Sequence, residues 1–381
     1  ASDPLKMATY RALARERAMC VSSGECDPRD PVIMNSTRFL VKPPEHTWGL
    51  PSIPDPDAKT SYTTASLSSH WNNKGFRMSA DAWSEQRRFN ELTIEALGDH
   101  PLADKMRRAV SELSPLKPTP TSSGFTPLNP PTSPIVCGDV SIQLDNTGAL
   151  SHLVVGGTDY ADGGVLARFV YQTFNESSYI SQMSSANCNG VLGGKPGEDA
   201  QAHPEAADFT PQIMQAWVRR EGARCTIDTQ LSLAPHLHLE YGAPNETWTT
   251  YTVGPDGVDV DIQWFDKTPT LVSESIMVEF LPPTGQNHKW WMDKLGTAIS
   301  PTEVVLGGSQ RQHGVWQGAS YLNESGHGLH ISSLDAPLTS PIWKGESPTP
   351  LVPDVSPFSE QPNGLAWNLY NNVRSAVPYF D

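Results

Sequence analysis

Hydrophobic and polar positions alternate with a period of two over most of the chain that follows residue 135. Residues 140–144 alternate, Asp145-Asn146-Thr147-Gly148 provides a turn, and residues 150–154 alternate again, so this stretch predicts a β-hairpin. The same pattern predicts further strands at residues 165–174, 212–219, 223–233, 235–241, 248–253, 257–265, 272–281, 314–322, 328–334 and 364–371. No long helical pattern interrupts them, which favours a large antiparallel sandwich over a parallel α/β sheet.

A helical period of hydrophobic positions is confined to the first 114 residues or so. Helices are predicted over residues 1–20 and 79–97 and from Pro101 onward. Asp3 and Ser79 are expected to cap the first two, because a short polar side chain before a helix can accept a hydrogen bond from its first free amides.

The composition changes sharply between these two parts. Residues 115–135 are so rich in proline that they cannot continue a helix or enter a central strand, which predicts an extended linker. We therefore expect an α+β, mainly β protein with three parts. These are a helical-bundle segment at 1–114, the linker at 115–135, and a β-sandwich domain at 136–381. Within the first part, residues 21–78 are expected to be mostly loop, and residues 40–76 form an active-site-like loop.

The overall charge narrows the class of partner. The chain has 381 residues, 42 acidic against 27 basic side chains, and a formal net charge of −15. A surface of that sign repels phosphate backbones, so nucleic acid is not expected as a partner. No apolar run is long enough to span a bilayer and no basic patch suggests a membrane surface. The chain opens with Ala1 rather than methionine, so we expect a processed or excised polypeptide.

Five cysteines suggest disulfides. Cys20 and Cys26 lie close together and are expected to pair. Cys188 and Cys225 flank a loop-rich stretch and form the second expected pair, which leaves Cys137 without a partner in the chain.

Four sequons for N-glycosylation occur, at Asn35, Asn175, Asn245 and Asn323. Together with the expected disulfides and the low lysine content they favour a secreted, extracellular glycoprotein. The alternative is that the sequons arise by chance in a chain rich in serine and threonine.

The long loop contains two unusual segments. Residues 44–49 (Pro-Glu-His-Thr-Trp-Gly) bring a carboxylate, an imidazole and an indole together, and residues 69–76 (Ser-His-Trp-Asn-Asn-Lys-Gly-Phe) repeat that mixture with amides. Neither segment has the period of a helix or a strand, and irregular backbone with such side chains is where binding and catalysis often occur. The structural alternative is that the indoles cover a core edge and the histidines make ordinary internal contacts.

Three segments together resemble a known kind of protein. They are Lys42–Gly49; Gly307-Gly308-Ser309 to Val315 followed by Ile331–Leu338; and Trp367-Asn368-Leu369-Tyr370-Asn371-Asn372. They resemble the C-terminal half of a family of large fungal and bacterial proteins that is similar to family 38 glycoside hydrolases, the α-mannosidase type. The resemblance spans nearly all of the chain, but residues 373–375 depart from the expected ending.

This resemblance implies an architecture and a partner. Family 38 enzymes have a metal-bearing α/β barrel, a helical bundle and a mutarotase-like β-supersandwich, and the order of helices, linker and strands here matches the last two parts. The barrel carries the nucleophilic carboxylate that a retaining glycosidase needs. No β-α alternation precedes residue 79, so the resemblance implies that the isolated chain is inactive. Either a separate N-terminal barrel polypeptide completes the active site, or the fragment is catalytically dead.

The resemblance also implies roles for five loop residues. His46 corresponds to a histidine that binds the catalytic divalent metal, zinc, although Thr47 stands where the family has aspartate. Glu45 would support that site or bind sugar. Trp48 and Trp71 offer flat faces for a pyranose ring, and Asn72 can bind its hydroxyls.

Other polar clusters have simpler alternatives. His236, His238 and Glu240 would share one face of the predicted strand 235–241 and could hold zinc, but we favour a polar, solvent-exposed face opposite inward Leu237 and Leu239. Trp290-Trp291 could contact sugar or pack between domains. His313 follows a glycine-rich turn and is expected to be exposed.

Two functions outside catalysis are also compatible with the sequence. The chain could be a carbohydrate-binding module in which Trp48, Trp71 or Trp290 forms the platform. It could also be a structural glycoprotein whose sandwich serves only for packing.

Overall fold

The computed structural model describes most of the chain and contains the protein alone. The described residues are 3–45, 64, 68–69, 71–122, 124–175, 178, 204–270, 272–283, 287–305, 308, 310–348 and 359–372. Within these ranges the protein is mainly β, with an N-terminal helical segment and large antiparallel sheets in a sandwich-like arrangement, which confirms the expected fold class.

The helices in the described ranges lie mainly in the N-terminal segment. They are α1 (Pro4–Ser22), α2 (Pro31–Leu40), α3 (Lys42–Glu45), α4 (Lys74–Glu95), α5 (Pro101–Ser111) and α6 (Pro235–Tyr241). Among them, none combines the length and the apolar character needed to cross a membrane. Helices α1, α2, α4 and α5 of the N-terminal segment share a hydrophobic cluster that includes Leu13, Ile33, Leu40, Leu102 and Met106.

The predicted start of the first helix is confirmed. The Asp3 carboxylate accepts a hydrogen bond from the Lys6 amide at 2.9 Å, and Pro4 occupies the first turn, where its missing amide proton leaves no bond unmade. His100 caps α5 in the same way, since its Nδ1 accepts from the Leu102 amide at 3.1 Å. Helix α4 begins at Lys74, five residues before the predicted cap at Ser79.

Helix α2 lies within residues 21–78, which the sequence predicted to be mostly loop. Its start has the usual signals, because the Asp30 carboxylate accepts from the Val32 amide at 2.7 Å and Pro31 follows. Ile33 and Leu40 are buried on one face, seven positions apart, which is the helical period. The hydrophobic pattern of α2 is short, and the helix becomes stable only when three further helices cover its buried face.

The strands occupy most of the predicted segments, although β6, β12 and β19 are buried along most of their length instead of at alternate residues. They are β1 (Thr126–Pro127), β2 (Ile135–Cys137), β3 (Val140–Leu144), β4 (Leu150–Val155), β5 (Thr158–Asp159), β6 (Val165–Phe174), β7 (Ala207–Phe209), β8 (Gln212–Glu221), β9 (Arg224–Ser232), β10 (Glu246–Gly254), β11 (Gly257–Phe265), β12 (Ser273–Leu281), β13 (Lys289–Lys294), β14 (Thr297–Ile299), β15 (His313–Gly314), β16 (Gly318–Leu322), β17 (Gly328–Ser332), β18 (Leu338–Ile342) and β19 (Gly364–Asn371).

The strands form three antiparallel sheets within the described ranges. Sheet A has the order β1-β8-β9-β10-β11. Sheet B has the order β15-β18-β19-β12-β6-β4-β3-β2, with β5 beside β4 and β7 beside β6. Sheet C has the order β14-β13-β16-β17. One hydrophobic core contains side chains from all three, including Ile227 and Tyr251 of sheet A, Val278 and Trp367 of sheet B, and Trp290 of sheet C.

The prediction of a strand at residues 235–241 is wrong, because this segment is helix α6. Pro235 lies in its first turn and Gly242 ends it in a left-handed conformation with φ 77°. A Cβ atom at Gly242 would lie 2.5 Å from the Thr268 carbonyl oxygen, so only glycine fits there. The alternation of histidine and leucine has the period of a strand, but the segment is too short for periodicity to distinguish the two structures.

Two disulfides are present in the described part of the chain. Cys20–Cys26 closes a short loop after α1, as predicted. The predicted Cys188–Cys225 pair is wrong, since Cys225 of β9 is bonded to Cys137 of β2, the cysteine that was expected to be left over. The sequence places these two cysteines 88 residues apart, and only the packing of sheet A on sheet B brings them together. Cys188 lies outside the described residues.

The proline-rich stretch at 115–135 lies along the sandwich instead of spanning open solvent. The Leu116 amide donates to the Gln263 side chain at 2.7 Å, and Lys117 pairs with Glu246. Further on, β1 adds to the edge of sheet A and the Leu128 amide donates to the Ala216 carbonyl at 2.8 Å. These contacts continue the packing of the sandwich into the stretch.

The helical segment also contacts the sandwich directly. Trp83 of α4 is fully buried in a second hydrophobic cluster with strand residues such as Phe169 and Ile276. The Arg11 guanidinium of α1 donates to the carbonyls of Leu334, Trp316 and Ser333 at 2.6–2.7 Å. The helices on both sides of the long loop, α1 and α4, therefore contact the sandwich.

Candidate functional site

The structure describes only part of the predicted loop site. Glu45 ends the one-turn helix α3, and its side chain lies outside the described residues, as do His46 and Trp48. Trp71 is half-buried and Asn72 is exposed. The predicted roles of these five residues therefore stay predictions.

The C-terminal end of the loop packs against the sandwich. Trp71 contacts the hydrophobic cluster that contains Trp83, Tyr171 and Tyr370. Earlier in the loop, the Thr64 hydroxyl donates to the Leu239 carbonyl at 3.3 Å, which joins the loop to α6. Trp71 is thus partly a packing residue, with one part of its ring still accessible.

A buried polar network lies within the same region. The Glu274 carboxylate, fully buried on β12, accepts from the Tyr171 hydroxyl at 2.6 Å and from the Tyr370 hydroxyl at 3.2 Å. The Lys267 ammonium donates to it at 2.6 Å and lies 4.8 Å from the centre of the Tyr370 ring. The Asn372 amide adds a further bond at 3.3 Å.

This network neutralises a buried charge. An isolated carboxylate at this depth would be strongly destabilising, and the ammonium of Lys267 and the three other donors compensate for the lost water. Burial, and then the negative charge of Glu274, raise the pKa of Tyr171 well above its ordinary value, so the phenol stays protonated and keeps donating. We interpret the network as a rigid support beneath Trp71.

A second polar row crosses the opposite face of sheet B. The Gln172 amide donates to Asp208 at 2.8 Å and its carbonyl oxygen accepts from the Ser275 hydroxyl at 2.7 Å. On the next strand the Asn371 amide donates to Asn368 at 3.2 Å, while Nδ2 of Asn368 has no hydrogen-bond partner in the described structure. Gln172, Ser275, Asn368 and Asn371 are buried, whereas Asp208 is exposed at the end of the row.

One group of side chains in the described ranges has a geometry suited to a metal ion. It consists of His152, Asp159 and Asp162 at the β4–β5 turn. His152 Nδ1 lies 2.5 Å from the Asp159 carboxylate, whose other oxygen accepts from the amides of Leu153 and Ala161 at 3.0 Å each. Burial raises the pKa of Asp159, but these hydrogen bonds outweigh it and the pKa is lowered overall. The bonds fix a tight turn, which accounts for the group without a metal.

The other predicted clusters have structural roles. His236 and His238 lie on α6 instead of sharing a strand face, and Nδ1 of His238 forms a 2.7 Å hydrogen bond with the Ala243 carbonyl. Trp290 is fully buried, but in the core shared by the three sheets instead of at the contact between domains that the packing interpretation expected. Its neighbour Trp291 is half-buried on the outer face of sheet C. The sequence carried a signal for this difference, since successive strand residues point to opposite faces.

The expectation that His313 is exposed is wrong, because it is only 5% exposed. It lies on β15, and its Nε2 forms a 3.1 Å hydrogen bond with the Gln310 carbonyl. Burial and the nearby Lys294 charge lower the pKa of His313 from 6.5 to about 4, against a smaller opposing effect of that hydrogen bond. The imidazole is therefore neutral in the folded protein near pH 7.

We expect His313 to make folding stability depend on pH. The contribution of His313 to the free energy of unfolding is fully present above pH 6.5, the pKa of histidine in the unfolded chain. It is lost as the pH falls toward about 4, the pKa of His313 in the folded protein. The loss between pH 7.5 and 4.5 should be about 2.5 kcal/mol. Urea unfolding gives the free energy of unfolding at each pH. Its decrease from pH 7.5 to 4.5 should be smaller by about 2.5 kcal/mol in His313→Asn than in the unsubstituted protein. The exposed His327→Asn control should match the unsubstituted protein, and equal drops in all three would contradict the prediction.

The four sequons fall on different kinds of backbone. Asn35 is exposed on α2 and Asn245 is exposed just before β10. Asn323 lies in the β16–β17 turn, where its side-chain oxygen accepts from the amides of Ser325 and His327 and leaves the amide nitrogen unused. The side chain of Asn175 is half-buried at the end of β6. The exposed positions are compatible with glycan attachment.

Sequence reasoning missed the Glu274–Lys267 pair. The two residues are seven positions apart across a turn, and no motif marks them as partners. Glutamate at a position within an apolar strand was the available signal, because a charge in such a place requires a compensating partner.

Comparison with known families adds one finding. The model of DUF5054, a domain of unknown function, matches residues 1–260. The match includes the helical segment, the proline-rich stretch and the strands up to the middle of β11, so the family unit crosses the boundary predicted at residue 136. No curated protein matches the chain. Because the matched region covers 260 of the 381 residues, the chain belongs to the DUF5054 family.

Proposed function

We propose that this chain is the carbohydrate-binding C-terminal portion of a secreted glycoside hydrolase-like protein. In this proposal the loop that contains Glu45, His46 and Trp48 contributes to a sugar site that an N-terminal barrel polypeptide completes. The chain itself lacks the barrel's nucleophile and does not hydrolyse glycosides alone.

The observation that carries the proposal is the position of the loop end. Trp71 packs against the cluster formed where helix α4 meets sheet B, and the Glu274–Lys267 network stiffens the strands beneath it. An aromatic ring that is partly accessible and firmly supported is suited to bind the apolar face of a sugar ring. Asn72, exposed beside it, can bind hydroxyl groups.

Secretion is part of the same proposal. The Cys20–Cys26 and Cys137–Cys225 disulfides are typical of proteins that fold in an oxidising compartment. Exposed sequons at Asn35 and Asn245 fit a glycoprotein.

The proposed metal depends on residues outside the described ranges. His46 would give one ligand to a zinc ion, and the barrel polypeptide would give the others. A bound zinc ion would polarise sugar hydroxyls. The described residues beside the loop do not form a metal site, since the His152 group belongs to the β4–β5 turn and is explained by its own hydrogen bonds. The sugar-binding part of the proposal therefore does not depend on the metal.

The partner and the metal can be tested on the protein purified from its natural source. We expect a second polypeptide to copurify, visible on non-reducing gels and by intact mass. The assembly should contain about one zinc per chain and should hydrolyse aryl glycosides, whereas the separated chain should not. Isolation of a complete, metal-free protein with no barrel would contradict the enzymatic part.

Two matched variants assign the metal within that assembly. His46→Ala should lower the zinc content at least about tenfold, while His152→Ala should leave it unchanged. The opposite result would move the metal to the β4–β5 turn and exclude His46 as a ligand. Sugar binding that persists in chelator, with no zinc in either sample, would instead favour a binding module without chemistry.

A further inference from the structure

Sheet C carries an open cleft that the proposed loop site does not use. Its volume is about 300 Å³, within the size range of small-ligand sites, and strands β13 and β16 form its floor. The residues that matter for its chemistry are Trp291, Asp293, Gln317, Gly318, Ser320 and His330. It lies on the outer face of the sheet, because Trp290 and Tyr321 of the same strands point into the core.

Three side chains form a row across the cleft. Trp291 pairs with Ser320 across β13 and β16, and Ser320 pairs with His330 across β16 and β17. Paired residues in antiparallel strands project on the same face, so an indole, a hydroxyl and an imidazole stand side by side. The Ser320 hydroxyl lies 2.8 Å from His330 Nδ1, and this hydrogen bond fixes the orientation of both groups.

Gly318 lets strands β16 and β17 approach closely beside the cleft. A Cβ atom built on Gly318 would lie 1.9 Å from the Ile331 carbonyl oxygen of β17. No other residue fits at this position without moving β17. Glycine therefore preserves the strand pairing that places Ser320 opposite His330.

Asp293 provides a fixed acceptor at the rim. One of its carboxylate oxygens accepts from the Gly296 amide at 2.6 Å and the other from the Gln317 amide at 3.2 Å. These bonds hold the carboxylate without neutralising it. None of the described residues that line the cleft is a lysine or an arginine, and the chain as a whole carries a formal charge of −15. An anionic ligand would therefore be repelled, whereas a neutral ligand rich in hydroxyls would find acceptors and donors.

We propose that this cleft is a second, independent binding site for a neutral saccharide. The Trp291 indole packs against the apolar face of one sugar ring, while Ser320, His330 and Asp293 bind its hydroxyls. Among the described residues no carboxylate contacts His330, so the serine–histidine pair lacks the third group of a nucleophilic triad and serves binding. The site does not involve the loop at 40–76 or a metal.

Affinity electrophoresis of the full chain tests the proposal. Native gels that contain mannan, mixed-linkage β-glucan, xylan or soluble starch should retard the protein in at least one case. Trp291→Ala should weaken that retardation at least about tenfold, and Ser320→Ala and His330→Ala should weaken it several-fold, by about two to ten. Thermal unfolding of Trp291→Ala should stay close to that of the unsubstituted protein, because the indole lies on the outer face.

Two further tryptophan variants separate this site from the loop site. Trp316→Ala removes an indole that is 44% exposed and is not part of the cleft, so it should retain full retardation. Trp71→Ala removes the ring of the proposed loop site and therefore measures the share of the retardation that the loop contributes. Loss of retardation in Trp71→Ala with no loss in Trp291→Ala would contradict saccharide binding at the cleft and would support binding at the loop alone. Absence of retardation of the unsubstituted protein in every polysaccharide would also overturn the cleft.

Discussion

Replacing Lys267 by methionine is expected to destabilise the protein by about 3–5 kcal/mol. The substitution keeps most of the side-chain volume but removes the positive charge that lies 2.6 Å from Glu274. Glu274 has no exposed surface, so water cannot replace the lost partner. Chemical unfolding at pH 7 gives the free-energy difference directly.

A second substitution distinguishes loss of charge balance from loss of packing. Glu274→Gln in the Lys267→Met background removes the unpaired charge and keeps an acceptor for the Tyr171 hydroxyl, so it should recover about 1–2 kcal/mol. Lys105→Met removes an exposed pair with Glu25 and should change stability by less than about 0.5 kcal/mol. A Lys267→Met protein as stable as the Lys105→Met control would show that the buried pair is dispensable.

Removing the disulfide between the sheets should have an effect of similar size. Cys137 and Cys225 close a loop of 88 residues, for which the chain-entropy model gives about 4–5 kcal/mol. Cys20 and Cys26 are only six residues apart, and their removal should cost about 2 kcal/mol. Non-reducing chemical unfolding of the two double serine variants should show this order.

Cys188 provides the control for the disulfide prediction. Cys188→Ser should unfold like the unsubstituted protein, since Cys225 is already paired with Cys137. Peptide mapping without reduction should recover Cys137 and Cys225 in one linked peptide. A linked peptide that joins Cys188 to Cys225 would restore the pairing expected from the sequence and would contradict the structure.

Local signals in the sequence predicted much of the fold. The cap at Asp3, the proline after it, the turn at residues 145–148 and the strands β6, β11 and β19 were each predicted from neighbours in the chain and were confirmed, although β6 and β19 are buried on both faces and do not alternate in burial. Helix α6 was misread because its leucines alternate over a short segment and the decisive contact, between Gly242 and Thr268, is not local.

The candidate sites depended more heavily on tertiary contacts. The partner of Cys225 is set by the packing of sheets, which spacing along the chain does not reveal. Lys267 lies only seven residues before Glu274, but no motif marks the two as partners. Trp291 was the favourable case, since the burial of Trp290 and the strand period together determine that its neighbour faces outward. The loop residues His46 and Trp48 were chosen by resemblance, and they lie outside the described residues.

The order of strands in sheet B also has a consequence for protein synthesis. Strand β19, residues 364–371, lies between β12 and β18, so it joins two parts of the sheet that are otherwise separate. On the ribosome, the nascent chain exposes the free edge of β12 until β19 has emerged, and such edges favour aggregation. We expect sheet B to close only after residue 371 has left the exit tunnel, and molecular chaperones to be needed until then.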